Sequence, residues 1–89
     1  MNSQSKTIVI AGGARTVIGH FAGALADIPP TDLMVDAVQA TLSRAKLSPE
    51  AVDGILLGWV GQSFSAPNIA RVAALKAGLP ERIQAVTVQ

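Results

Sequence analysis

Few residues in this chain have the chemistry of a catalytic or binding group. Cysteine is absent, which removes a thiol nucleophile, a disulfide framework and a Cys-based zinc cluster. His20 is the sole histidine, and with no carboxylate or cysteine partner evident in the sequence it reads as a surface loop residue. Ser63 and Ser65 lie in a polar stretch with no base within sequence reach, and a hydroxyl without a positioned base is a poor nucleophile. Arg15 and Arg71 have the planar fork that binds anions, but the same fork ties down loops by hydrogen bonding to carbonyls. The six acidic residues scatter along helix faces and turns and read as solvated surface.

The remaining motif is the turn Gly12–Gly19, which follows a β-branched run as a dinucleotide-binding turn would. A G-x-G-x-x-G fingerprint starting at Gly12 needs glycine where Ala14 and Val17 stand. No long helix opens directly after the turn, because Pro29-Pro30 intervenes. The glycines read as a tight strand exit, with a small nucleotide-binding α/β module as the alternative. The residues alone assign no catalytic, cofactor-binding or metal-ligating position.

Positioning is the task of the elements. Thr7–Ala11 is a short β-branched run ended by Gly12-Gly13, and it predicts a strand covered on both faces. Ala14–Pro30 lacks a clean period and reads as a long loop with a helical turn near Phe21–Leu25. Thr31–Lys46 predicts a helix capped by Thr31, with Asp32 in its first turn and Arg44 and Lys46 in its last. Asp32, Asp36, Gln39, Ser43 and Lys46 mark its polar face; Met34, Val38, Leu42 and Ala45 mark the apolar one. Ser48-Pro49 predicts one short turn, and Gly54–Val60 a second strand.

Gly61–Pro67 reads as a loop. Asn68–Ala77 predicts a second helix, capped by Asn68 and stopped by Gly78. Its alanine face (Ala70, Ala73, Ala74, Ala77) suits a very close neighbour. Gln84–Gln89 is the third strand. The order β-α-β-α-β predicts an α/β fold with three parallel strands. Laid down in one direction, the strands put both helices on one sheet face and leave the other bare, so the chain reads as an incomplete unit.

Composition agrees. Of 89 residues, 49% are hydrophobic and 15% charged, which excludes a mainly disordered chain. A chain this small buries only about two-thirds of its unfolded surface, so part of that apolar content is expected to meet more chain or a partner. The net charge of +1 and 3% aromatics disfavour nucleic-acid binding. No apolar run approaches the ~18 residues of a membrane helix, and the polar start, Met1–Lys6, lacks the pattern of a secretory signal. A cytoplasmic protein is the expectation.

Taken in order, four segments resemble a known family. Ile8–Leu25 resembles the opening of thiolases, the acetyl-CoA acetyltransferases and 3-ketoacyl-CoA thiolases. Asp53–Val60 resembles the family's second strand, Asn68–Pro80 its Asn-x-Ala-Arg helix, and Ala85–Gln89 the strand leading to the nucleophile. The similarity runs from about Lys6 to Gln89. It departs at Val17, where the family usually has Pro, at His20, where it often has Arg or Lys, at Pro67, since the family often places Pro after the Asn, and at Gln89, where Asn is common. None of these is a family nucleophile or base.

The resemblance implies that residues 1–89 are the N-terminal part of a thiolase N-terminal domain, a β-α-β-α-β portion giving three parallel strands of a mixed sheet. It implies Claisen condensation of acyl-CoAs, or thiolysis, through a Cys acyl-enzyme. The nucleophile would lie a few positions beyond Gln89, so the catalytic residues fall outside these 89; the alternative within the resemblance is a non-catalytic, interaction-only thiolase-like fragment. Coenzyme A thioesters are the implied substrates, with no metal or prosthetic group. The implied partners are the remainder of a thiolase chain and a second subunit, joined through the strand near Val86, Thr87 and Val88 in a homodimer or homotetramer. Nucleic acid and membrane are not expected partners.

Overall fold

The computed structural model describes residues 6–61 and 68–89. Its elements run α1 (Pro30–Ala45), a 3-10 turn (Pro49–Ala51), β1 (Gly54–Gly58), α2 (Ile69–Lys76) and β2 (Gln84–Val88). β1 and β2 pair in parallel with Gly54 opposite Gln84 and Gly58 opposite Val88. Among the described residues no helix is long and apolar enough to cross a membrane.

The α/β class stands, but among the described residues the sheet has two strands where three are expected. Thr7–Ala11 is not a strand. Ile8 and Ile10 are 96% and 95% exposed, and the segment joins no ladder. Its far end is held elsewhere: the Arg44 guanidinium donates to Gly13 O (3.3 Å), and Gly12 lies close against Ala45. A β-branched run supplies strand propensity, but a strand exists only where an edge pairs with it.

α1 is capped at Pro29, two residues earlier than the expected cap Thr31. Pro30 occupies the first helical position, where its fixed φ suits the helix and its missing N–H costs nothing. Thr31 is therefore inside the helix and caps nothing. Asp32 does fall in the first turn and Arg44 in the last. Both helices end in the same way. Leu47 N–H reaches Leu42 O and Lys46 N–H reaches Ser43 O; Leu79 N–H reaches Ala74 O and Gly78 N–H reaches Leu75 O. These are Schellman closures, with Lys46 (φ 57°) and Gly78 (φ 88°) in the left-handed position. Ser48 accepts from Glu50 N–H and starts the 3-10 turn after Leu47, as its Ser-Pro pair predicts. In place of one helical turn, residues 20–28 form three successive tight turns.

The core lies between the helices and one face of the sheet. Ala74, Ala77, Leu79 and Ile83 form its centre, with Val35, Val38, Leu42, Val52 and Ile55 packed around them. Ala70, Ala73 and Ala74 are fully buried, so α2 approaches its neighbours as closely as the alanine face predicts. The opposite sheet face is bare: Leu56 is 72% exposed, and Val86 and Val88, from β2, are also exposed. The expected uncovered face is therefore present, although the two strands were expected to be buried on both sides.

Candidate functional site

In a parallel sheet the carboxyl ends of the strands and the N-termini of the following helices converge, and ligands of α/β proteins gather there. Here that edge is formed by Trp59, by Thr87 to Gln89, and by the start of α2 at Asn68. Trp59 N–H donates to Val88 O at 2.8 Å and carries the ladder one step beyond β1. At the other end Gln84 N–H donates to Asp53 O at 3.3 Å. These two bonds aim the main chain of Gln84, Val86 and Val88 at β1, so the main-chain groups of Ala85 and Thr87 face the open edge of β2.

Asn68 and Thr87 build the polar centre of this edge. Ala70 N–H, in the first turn of α2, donates to Thr87 Oγ1 at 3.1 Å. The same hydroxyl donates to Asn68 Oδ1 at 2.7 Å. Asn68 Nδ2 donates to Ala85 O at 3.4 Å, covering a carbonyl on the open edge. Asn68 sits at the cap position, as expected, but its side chain makes no cap bond to its own helix. The cap comes from Thr87, across the sheet–helix contact. The sequence places Thr87 only in the strand implied to join subunits and does not mark it as a capping residue. The one available signal is a hydroxyl on the inward side of a strand whose other inward residue, Ala85, is apolar.

The other candidates have structural partners or stand apart. Arg71, three residues after Asn68, donates to Glu81 O at 2.8 Å and ties down the loop before β2, the second of its two readings. Arg15 donates to Thr16 O at 3.0 Å. Arg15, Thr16 and Val17 line an open polar cleft of about 340 Å³ with Arg44. The Gly12–Gly19 turn follows no strand and opens no helix, so the geometry of a dinucleotide cradle is missing. His20 is exposed, and its carbonyl accepts from Gly23 N–H. Ser63 and Ser65 lie outside the described residues. Arg82 pairs with Asp53 at 3.3 Å and also donates to Glu50 O at 2.6 Å, which bolts the 3-10 turn to the start of β2.

Two helices on one face of a parallel sheet define an α/β scaffold, and its glycine turn lacks the strand and helix of a dinucleotide cradle. The family description "Thiolase, N-terminal domain" matches residues 8–89. The chain belongs to the thiolase family. It is 43% identical over 81 residues to an acetyl-CoA acetyltransferase of Cupriavidus necator, covering 91% of this chain and 21% of that protein. A probable acetyl-CoA acyltransferase of Staphylococcus aureus is 40% identical over the same length.

Among solved structures, the Bacillus anthracis acetyl-CoA acetyltransferase superposes with a TM-score of 0.85 at 38% identity, covering 91% of this chain and 21% of that one. Human mitochondrial 3-ketoacyl-CoA thiolase, solved in complex with CoA, gives 0.82 at 39% identity, covering 88% and 20%. The chain thus spans about a fifth of the length of the relatives it matches.

Proposed function

We propose that these 89 residues are the N-terminal part of an acyl-CoA acyltransferase of the thiolase type, with the catalytic residues outside them. The observation that carries this reading is the family match across residues 8–89. The chemistry would be ping-pong acyl transfer. A cysteine thiolate attacks the thioester carbonyl of one acyl-CoA, forms a new thioester and expels coenzyme A. A second cysteine takes a proton from the α-carbon of another acyl-CoA. The resulting carbanion attacks the acyl-enzyme, forms a 3-ketoacyl-CoA and frees the first cysteine. Oxyanion holes stabilise the enolate and the tetrahedral species. Thiolysis is the reverse.

In this reading the present chain is scaffold, and β2 presents the segment that carries the nucleophile. The bare sheet face is where the remainder of the domain packs. The open edge of β2 around Val86, Thr87 and Val88 pairs with the same strand of a second subunit about a two-fold axis. The supporting feature is that, among the described residues, β2 is hydrogen-bonded to a strand on one edge only. The experiment is thiolysis of acetoacetyl-CoA by the complete protein, followed by mass spectrometry after acetyl-CoA alone. An acetyl group on one cysteine is expected. A protein that neither cleaves the substrate nor takes up acetyl sinks the proposal.

A further inference from the structure

We propose that Thr87 is a positioning residue for the acyl transfer, acting through the direction in which β2 leaves the sheet; this rests on the functional reading above. One hydroxyl makes two bonds at once, accepting from Ala70 N–H and donating to Asn68 Oδ1. It joins residues 17 and 19 positions apart, and both bonds cross from the end of β2 to the start of α2. Packing does not call for the hydroxyl. The neighbouring inward positions on the sheet, Ile55, Leu57 and Ala85, are apolar, and valine has the same branched shape with equal or better strand preference.

What the hydroxyl adds is angular control. Main-chain ladder bonds fix β2 in the plane of the sheet: Val88 O is held by Trp59 N–H. Rotation of the strand end out of that plane, toward or away from α2, is resisted by the Thr87 bonds. Asn68 is committed to the same purpose, since its carbonyl oxygen takes the Thr87 proton and its amide holds Ala85 O. Thr87 lies two residues before Gln89. A small rotation there is amplified in any group carried farther along the chain, and a reacting atom displaced by ~1 Å can lose about 100-fold in rate.

The test uses the complete protein, with kcat and KM for thiolysis measured well below each variant's unfolding midpoint. Thr87→Val is expected to lower kcat roughly 10- to 100-fold with KM changed less than about 3-fold, while Thr87→Ser keeps most of the rate. Asn68→Ala, which keeps the bond to Ala70 and removes the hydroxyl's acceptor, is expected to fall between them, and it serves if the valine variant does not fold. Thr87→Val at a kcat within about 2-fold of the parent overturns the proposal. So does a loss that tracks only the unfolded fraction. A parent protein with no thiolysis overturns the functional reading and this role with it. Faster exchange of the Ala70 amide in Thr87→Val then still identifies the hydroxyl as a helix cap alone.

Discussion

Lys46 and Gly78 occupy the same place at the ends of two helices, yet only one is suited to it. Each takes a positive φ so that the last carbonyls of its helix are satisfied. For glycine this conformation is free of strain, whereas a side chain there costs about 1 kcal/mol. Lys46→Gly should therefore raise stability by about 0.5–1 kcal/mol, with part of the gain lost to the greater freedom of glycine in the unfolded chain. Gly78→Ala should lower it by about 1 kcal/mol. Urea titrations of the two variants check the pair, and equal effects of the same sign would contradict the account.

The Arg82 cluster makes a second residue-scale contrast. Its ion pair with Asp53 is solvent-exposed, so Asp53→Asn should change stability by less than about 0.5 kcal/mol. Arg82→Met also removes the short bond to Glu50 O and should cost about 1 kcal/mol. The same titrations distinguish the two.

At the scale of elements, α2 shows what an alanine face accomplishes. Ala70, Ala73 and Ala74 are fully buried, so the backbone of α2 packs against its neighbours with almost no side chain between. Enlarging such a position leaves nowhere for the added atoms. Ala73→Leu should cost about 1–3 kcal/mol or force α2 off the sheet, seen as a lower thermal midpoint with altered Trp59 fluorescence. This face was legible in the sequence because alanines at helical spacing just before Gly78 leave few other arrangements. The start of the same helix was only half legible. Asn68 is a cap residue by type, but its side chain serves β2, and Thr87 supplies the cap from a strand far along the chain. Residues 7–11 show the opposite limit. Their β-branched pattern predicts a strand, but pattern records propensity and not the presence of a partner edge.

At the scale of the whole molecule, apolar surface is left open on several described segments. Leu56, Val86 and Val88 lie on the bare sheet face, Ile8 and Ile10 project into solvent, and a groove of about 230 Å³ opens between α1 and β1. Its walls include Val38, Leu42, Val52 and Ile55. Contiguous exposed apolar surface of this kind favours association. The isolated 89-residue chain should bind a hydrophobic dye and self-associate, and Leu56→Lys combined with Val86→Lys should reduce both, measured by dye fluorescence and light scattering. If the isolated chain is a monomer that ignores the dye, the exposed face does not behave as the structure implies.

The proposed two-fold pairing makes a separate prediction for the complete protein. Ala85→Pro removes a main-chain N–H that faces only the open edge, and proline is tolerated at such positions. Sedimentation should show dissociated subunits that remain folded; an unchanged assembly would exclude pairing through β2.

What the sequence by itself determined was local: the turn at Ser48-Pro49, the polar and apolar faces of α1, the alanine face and glycine stop of α2, and the apolar strands 54–58 and 84–88. Each depends on residues within a few positions of one another, where spacing and side-chain type decide the outcome. The family resemblance was legible for the same reason, in short ordered segments. Only the tertiary structure decided that residues 7–11 stand outside the sheet, that Arg71 and Arg82 are fasteners, and that Thr87 and Asn68 meet at the sheet's carboxyl edge. Those outcomes depend on groups 10 to 32 residues apart, or on whether an edge is free, and one-dimensional spacing carries no record of such meetings.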